Sequence, residues 1–341
     1  MSTQEKTQVT LLEAINMALD DAMAADPNVI LLGEDIADGQ GGGVVGVTRG
    51  LSSKYGQRVR STPIAEQAIM GAAVGAAIVG VRPVAEIMLM NFTTVAMDMI
   101  VNHAAKLRFM SGGQTHVPLT IRTMTGAGFG NGGQHSDYLE AWFAHTPGMK
   151  VVAPSSPADA YGLLLACIED DDPCLFIENI LSYYTKGPRP VRGERISLGK
   201  AKVLRPGEHV TVVSYSRLVN ECVAAAEQLA AEGISAEVID LRTIEPFDRD
   251  AVLESVQKTG RAVIVHEAVK KYGVGAEVAA CIHEALYGSL KAPVVRVGAP
   301  QCPVPFSKSL ETAFVPQQAD IAAAIRSVLG RAHTKPQAVE A

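Results

Sequence analysis

The chain has 341 residues, a formal net charge of −6, 48% hydrophobic residues and 19% charged residues. That length exceeds one ordinary core and suits two domains. The modest acidic excess gives no basic footprint for nucleic acid or an anionic membrane.

In chain order, Thr10-x-x-Glu13 reads as a capping box opening a helix over 10–25, with Leu11, Leu12, Ile15, Leu19 and Met23 on one stripe and Asp26-Pro27 as the stop. NVILL (28–32) reads as a short buried strand. RSTPIAEQAIMGAAVGAA follows, where Thr62 is expected to cap a helix with Pro63 at its first position. The uncharged run 68–81 of that helix is shorter than the roughly 20 residues that span a bilayer and is expected to be buried. Next come PVAEIML (83–89) as strand, 93–110 as helix, VPLTIRT (117–123) and MKVVAPSS (149–156) as strands, and 157–170 as helix. Alternating strands and helices predict an α/β fold with a mostly parallel, doubly wound sheet.

Proline, glycine and charge replace periodicity over 186–200. The expected organisation is a first domain over 1–190, a linker over 191–199, a smaller α/β domain over 200–332 and a disordered tail over 333–341. The second domain reads as strands HVTVVSYS, SAEVIDL, RAVIVHE and PVVRV, with helices near 217–232, 248–259, 275–287 and 317–330. Cys167, Cys174, Cys222, Cys281 and Cys302 form no C-x-x-C pair, so reduced core thiols are expected. The start MSTQEKTQ has neither an apolar signal core nor Arg-rich character, which makes cytoplasm the expected compartment.

Two stretches carry chemistry. TGAGFGNGGQHSDY (125–138) contains Gly128-x-Gly130-x-x-Gly133 after a strand. A dinucleotide fingerprint also needs an acid closing the next strand, and MKVVAPSS ends without one. The glycines are therefore expected to form a turn presenting His135, on a loop at the carboxyl end of a strand where open α/β sheets place ligands. The second is Glu66, in the first turn ahead of the apolar run. A helix dipole alone would favour it there. If it shares the burial of the run, it holds its proton to higher pH, which suits exchange with a ring nitrogen.

The chain resembles the β subunit of the thiamine-diphosphate-dependent first component of 2-oxo acid dehydrogenase complexes, a group that includes pyruvate, branched-chain and acetoin dehydrogenases. The resemblance is carried by LLGED (31–35), TPIAEQAIMGAAVGAA (62–77), VRPVAEIMLMNF (81–92), HAAKLRFMSGG (103–113), 134–164, IDLRTIEPFD (239–248) and YGVGAEVA (272–279). It implies a transketolase-like fold with an N-terminal pyrimidine-binding domain and a C-terminal domain that helps assemble the complex. It further implies that Glu66 hydrogen-bonds the aminopyrimidine of thiamine diphosphate and favours its imino tautomer. Phe92 would pack against that ring, and His135 would transfer a proton as an acyl group passes to lipoyl on the acyltransferase core.

The chain lacks the G-D-G and paired asparagines that hold magnesium and diphosphate in thiamine enzymes. The resemblance therefore implies an α subunit that supplies that site, in an α2β2 assembly. Some relatives hold potassium at positions matching Leu119, Cys167, Ile168, Asp170 and Asp172, with Asp172 where Asn is frequent; otherwise EDDDP (169–173) is a solvated helix end. GGGVVGVTRGL (41–51) looks most like acetoin-type members. Pyruvate is the expected substrate, with acetoin or branched-chain or aryl 2-oxo acids as alternatives. A nicotinamide dehydrogenase and a non-catalytic scaffold are the readings from other classes.

Overall fold

The computed structural model describes residues 7–330, so the tail expected over 333–341 lies outside the described residues. The described chain forms two units. The first runs to Lys200 and also includes Arg242–Phe247 and Pro303–Thr312; the second comprises Ala201–Leu241, Asp248–Cys302 and the residues from Ala313 onward. Two short stretches of the second half thus belong to the first unit.

The first unit is built on a seven-stranded sheet in the order Thr243–Glu245, Lys150–Val152, Cys174–Asn179, Thr120–Thr125, Arg82–Leu89, Val29–Glu34 and Val59–Thr62. All neighbours run parallel except the edge strand Thr243–Glu245, which is antiparallel to Lys150–Val152. A parallel sheet needs crossover connections, and these bring every active-end loop out at the carboxyl ends of the strands. Helix Leu11–Ala25 is fixed at its start by the expected box: Glu13 N–H donates to Thr10 Oγ1 at 3.1 Å and Thr10 N–H donates to Glu13 Oε2 at 2.8 Å. It packs on helix Pro157–Glu169, where the Tyr161 hydroxyl donates to Asp21 Oδ2 at 2.7 Å.

Three expectations change. The helix over 93–110 is broken into a 3-10 turn at Met90–Thr94, a π turn at Met99–Ala104 and a short α-helix at Leu107–Met110. The Ala105 carbonyl after the π turn lies against Gly148, where a Cβ would stand 2.0 Å from that oxygen, so only glycine fits there. Thr62 does not cap a helix. It ends the strand Val59–Thr62, and the helix begins at Glu66, with Ala65 as its uncapped N-cap. That helix is apolar all round but covered on one face only. Ile69, Met70, Ala73, Val74 and Ala77 are buried, while Ala68, Ala72, Gly75 and Ile78 are exposed. Four of the five cysteines are buried; Cys302 is exposed.

A buried charge cluster ties the three central strands of the first unit. Arg122 donates through Nε and Nη2 to the two oxygens of Glu178, at 2.7 Å each, and through Nη1 to Glu86 Oε2 at 2.6 Å. The Tyr183 hydroxyl donates to Glu178 Oε2 at 2.6 Å. Only 3% of the Arg122 side chain and 1% of the Glu178 side chain reach solvent, so each depends on the other for its charge. Burial pushes the Glu178 carboxyl upward against the pull of Arg122, whereas Glu178 and Glu86 raise the guanidinium against its own burial. The two-point geometry decides for the ion pair.

The second unit carries a five-stranded sheet in the order Val295–Ala299, Ala262–Val269, Val210–Ser214, Ala236–Asp240 and Lys202–Arg205, parallel except for the last strand. Its helices Leu218–Ala230, Arg249–Thr259, Val274–Leu286 and Gln318–Val328 fall where the periodicity predicts them. His266 lies wholly inside, with Gly273, Gly275 and Gly298 close around its ring. Its Nδ1 sits 3.0 Å from the Ala268 carbonyl, which can only accept, so Nδ1 carries the proton and Nε2 is bare. Burial pushes this imidazole down to about 4.

Two outcomes follow from these buried groups. Arg122→Met leaves Glu178 as an uncompensated buried acid and should cost about 3–5 kcal/mol by urea unfolding, a large part of it recovered in Arg122→Met/Glu178→Leu. Because the folded-state value of His266 lies below its unfolded one, the unfolded chain binds the extra proton. Stability present above the unfolded value, 6.5, is therefore lost as pH falls from there toward about 4. The loss should be on the order of 3 kcal/mol, and His266→Gln should flatten that slope in unfolding measured across the same range.

Candidate active site

The candidate residues gather at the carboxyl ends of adjacent parallel strands of the first unit. Val29–Glu34 places Glu34 opposite Thr62 and Gly33 opposite Glu86. Helix Glu66–Ile78 starts just beyond Thr62 and puts Glu66 in its first turn. The chain leaves Arg82–Leu89 directly into Asn91 and Phe92, and leaves Thr120–Thr125 into the glycine loop that leads to His135.

Glu66 is half-buried in this chain, not enclosed as its sequence context suggests, because the helix behind it is covered on one face only. Among the described residues its carboxylate has no hydrogen-bond or ion-pair partner, so both oxygens are available to a ligand. Its neighbour Glu34 is held above the ordinary carboxylate range. Burial is the main cause, followed by the negative charges of Asp35, Glu66 and Glu86. Crowded carboxylates of this kind favour retention of a proton. The Thr62 hydroxyl oxygen is buried without a partner among the described residues.

Phe92 and His135 meet edge to face, with ring centroids 5.3 Å apart and planes at 80°. Both are half-buried. Asn91 holds this corner together. Its amide donates to the Gly133 carbonyl at 3.1 Å and to Asp137 Oδ2 at 2.9 Å, and its own oxygen accepts the Asp137 N–H at 3.2 Å. Burial, opposed by the Asn91 hydrogen bond, raises the Asp137 carboxyl. Thr125 Oγ1 donates to the Asp137 carbonyl at 2.6 Å. Neither Asn91 nor Asp137 has a sequence signal of its own; an amide between the apolar Met90 and Phe92 was the only available hint.

The loop over 126–133 is a cradle for an anion, but its occupant is internal. Gly126, Gly128, Gly130 and Gly132 all have left-handed φ, from +72° to +119°. The Gly128 N–H donates to Glu311 Oε1 at 2.6 Å, and the Gly130 N–H donates to both oxygens of Glu311 at 3.1 Å. A cradle filled by a carboxylate leaves no place for a dinucleotide phosphate.

Leu119, Cys167, Ile168, Asp170 and Asp172 lie together where helix Pro157–Glu169 turns into strand Cys174–Asn179, yet side-chain cations hold much of their oxygen. Lys150 Nζ donates to both Asp170 oxygens at 2.6 Å, Arg108 donates to Asp172 Oδ1 at 2.7 Å, and Arg82 donates to the Ile168 and Asp170 carbonyls at 3.2 and 3.1 Å. The Leu119 carbonyl accepts the Cys174 N–H at 2.9 Å, and the Cys167 carbonyl accepts the Asp170 N–H at 3.3 Å. The turn therefore offers a metal no free carboxylate, and it is a paired helix end instead of a merely solvated one. Among the described residues no cluster of histidine, cysteine and acidic side chains is arranged to hold a metal ion.

Comparison with known proteins gives a consistent picture. The family model described as "Transketolase, pyrimidine binding domain" matches residues 7–185, and "Transketolase, C-terminal domain" matches 199–321. The chain is 46% identical to "Acetoin:2,6-dichlorophenolindophenol oxidoreductase subunit beta" of Cupriavidus necator over 93% of this chain and 96% of that protein. It is 44% identical to "Pyruvate dehydrogenase E1 component subunit beta-2, mitochondrial" of Oryza sativa over 95% of this chain and 87% of that one. Among solved structures, "Split gene transketolase, inactive beta4 tetramer" aligns with a TM-score of 0.78 at 24% identity, covering 94% of this chain and 98% of that chain; that likeness concerns the fold.

Proposed function

The chain belongs to the transketolase-like family of pyruvate and acetoin dehydrogenase β subunits, and from that membership we propose that it forms half of a thiamine-diphosphate site completed by an α subunit. The observation that carries the reading is the uncommitted carboxylate of Glu66 at the carboxyl end of the sheet, next to Glu34, whose carboxyl is raised by burial and by the neighbouring negative charges. When bound, thiamine diphosphate supplies a nucleophilic carbon and an electron sink for cleaving the bond beside a carbonyl.

The chain's own residues divide the remaining work. Glu66 would face the pyrimidine ring nitrogen and exchange a proton with it through a carboxyl oxygen, as an acid–base partner of the cofactor. Phe92 would pack against the same ring. His135, fixed against Phe92, moves a proton at an imidazole nitrogen while the acyl group passes to a lipoyl arm of the acyltransferase core. The diphosphate and its magnesium fall to the α subunit, since this chain carries no G-D-G with paired asparagines. The uncovered apolar side of the Glu66 helix, continued by Ile64 before it and Val79 after it at 74% and 78% exposed, supports a partner chain there in an α2β2 assembly. No helix among the described residues is long and apolar enough to cross a membrane.

Pyruvate is the substrate of the first reading. Acetoin is the second, favoured by the 46% identity to an acetoin oxidoreductase subunit and by GGGVVGVTRGL at 41–51. Co-expression with the cognate α subunit, assayed on pyruvate, acetoin, branched-chain and aryl 2-oxo acids with and without thiamine diphosphate, should show one thiamine-dependent activity. Glu66→Gln should lower turnover by about a hundredfold or more with the assembly intact by size-exclusion chromatography. Full turnover in that variant would assign the chain to a scaffold role.

A further inference from the structure

The loop that presents His135 is rich in left-handed glycine, which costs more conformational entropy to order than any other residue. Something must hold it, and two anchors are visible. Asn91 grips the downstream end at Gly133 and Asp137. At the upstream end the Gly128 and Gly130 amides converge on Glu311. Pro303 and Phe306, from the same segment as Glu311, close on the loop: a Cβ at Gly133 would stand 3.0 Å from Pro303 Cβ, and one at Gly132 would stand 3.3 Å from Phe306 Cδ2.

Glu311 is only 2% exposed, and the partners it has among the described residues are these two amides. A buried carboxylate met by backbone N–H groups makes charge-assisted hydrogen bonds, the strong kind, and leaving it unpaired would be costly. The loop and the acid therefore stabilise each other. His135 lies just past the loop, its N–H donating to the Gly132 carbonyl at 3.2 Å, so the imidazole inherits its place from a loop that Glu311 anchors upstream and Asn91 anchors downstream.

We propose that Glu311 is a positioning residue that acts through the glycine loop to hold His135 against Phe92 for acyl transfer to lipoyl. The inference rests on the β-subunit reading above and adds to it a remote determinant of the second half-reaction. Glu311 itself touches no substrate. Its loss should weaken the step that uses His135 and spare the cleavage step, which depends on Glu66.

The test uses the enzyme assembled with its α subunit. Turnover is measured in two ways: through the lipoyl-bearing acyltransferase, and through the artificial acceptor 2,6-dichlorophenolindophenol, which bypasses lipoyl. Glu311→Gln keeps the shape and removes the charge. It should lower the lipoyl-coupled rate by about tenfold to a hundredfold and change the dye-coupled rate by less than about twofold. The Glu311→Gln/His135→Ala double variant should be no slower than His135→Ala alone, as expected when two residues act through one group. Equal loss in both assays, full lipoyl-coupled activity or additive losses would overturn the proposal.

Amide hydrogen exchange of the wild-type assembly provides a measurement that needs no variant to fold. The peptide covering 126–133 should be protected, and exchange at the unprotected rate would also overturn the proposal. If instead the wild-type assembly shows no thiamine-dependent turnover, the functional reading fails, while the exchange result still judges the Glu311 clamp.

Discussion

The first unit depends on one buried interaction, the fork of Arg122 laid across Glu86 and Glu178 on the three central strands. Parallel strands buried on both faces can slide in register unless something directional fixes them, and apolar packing is not directional. A guanidinium with two oxygens on one side and a third on the other is satisfied in one alignment only. That alignment sets how far each of these strands carries its carboxyl end, and Asn91, Phe92 and the glycine loop leave from two of those ends.

The same sheet supports two kinds of acid. Glu178 and Glu311 are buried and fully engaged, one by a guanidinium and a phenol, the other by backbone amides. Glu66 is half-open and engaged by nothing among the described residues. Paired carboxylates give rigidity, whereas an unpaired one at a strand end is available for proton exchange with a ligand. The unit thus separates the acids that hold shape from the one proposed for chemistry. The apolar back of the Glu66 helix stays uncovered within the chain, which agrees with the proposed cofactor site shared between subunits.

The glycine loop shows how a local pattern can mislead about its ligand. Its spacing resembles a phosphate loop, and its geometry does cradle an oxyanion, since the N–H groups of the left-handed Gly128 and Gly130 converge on one point. The chain fills that point with its own carboxylate. A motif built for negative charge has become a joint between two distant stretches of sequence, and the histidine beside it gains a fixed position.

What the sequence determined by itself was whatever is set by near neighbours. The Thr10–Glu13 box, the periodic helices of the second unit and the placing of Glu66 in a first helical turn depend on residues three or four apart, and each was legible. Tertiary structure decided the rest. The central strand Cys174–Asn179 is buried on both faces and shows no alternation, and the edge strand Thr243–Glu245 pairs with Lys150–Val152 far away in the chain. The half-covered helix behind Glu66, the π turn at Met99–Ala104 and the pairing of Asp170 with Lys150 likewise follow from what packs nearby, not from local pattern. Gly128 and Glu311 meet across 183 residues. Hydrogen bonds and burial act through space, so a contact at that separation leaves no period or spacing in the sequence to announce it.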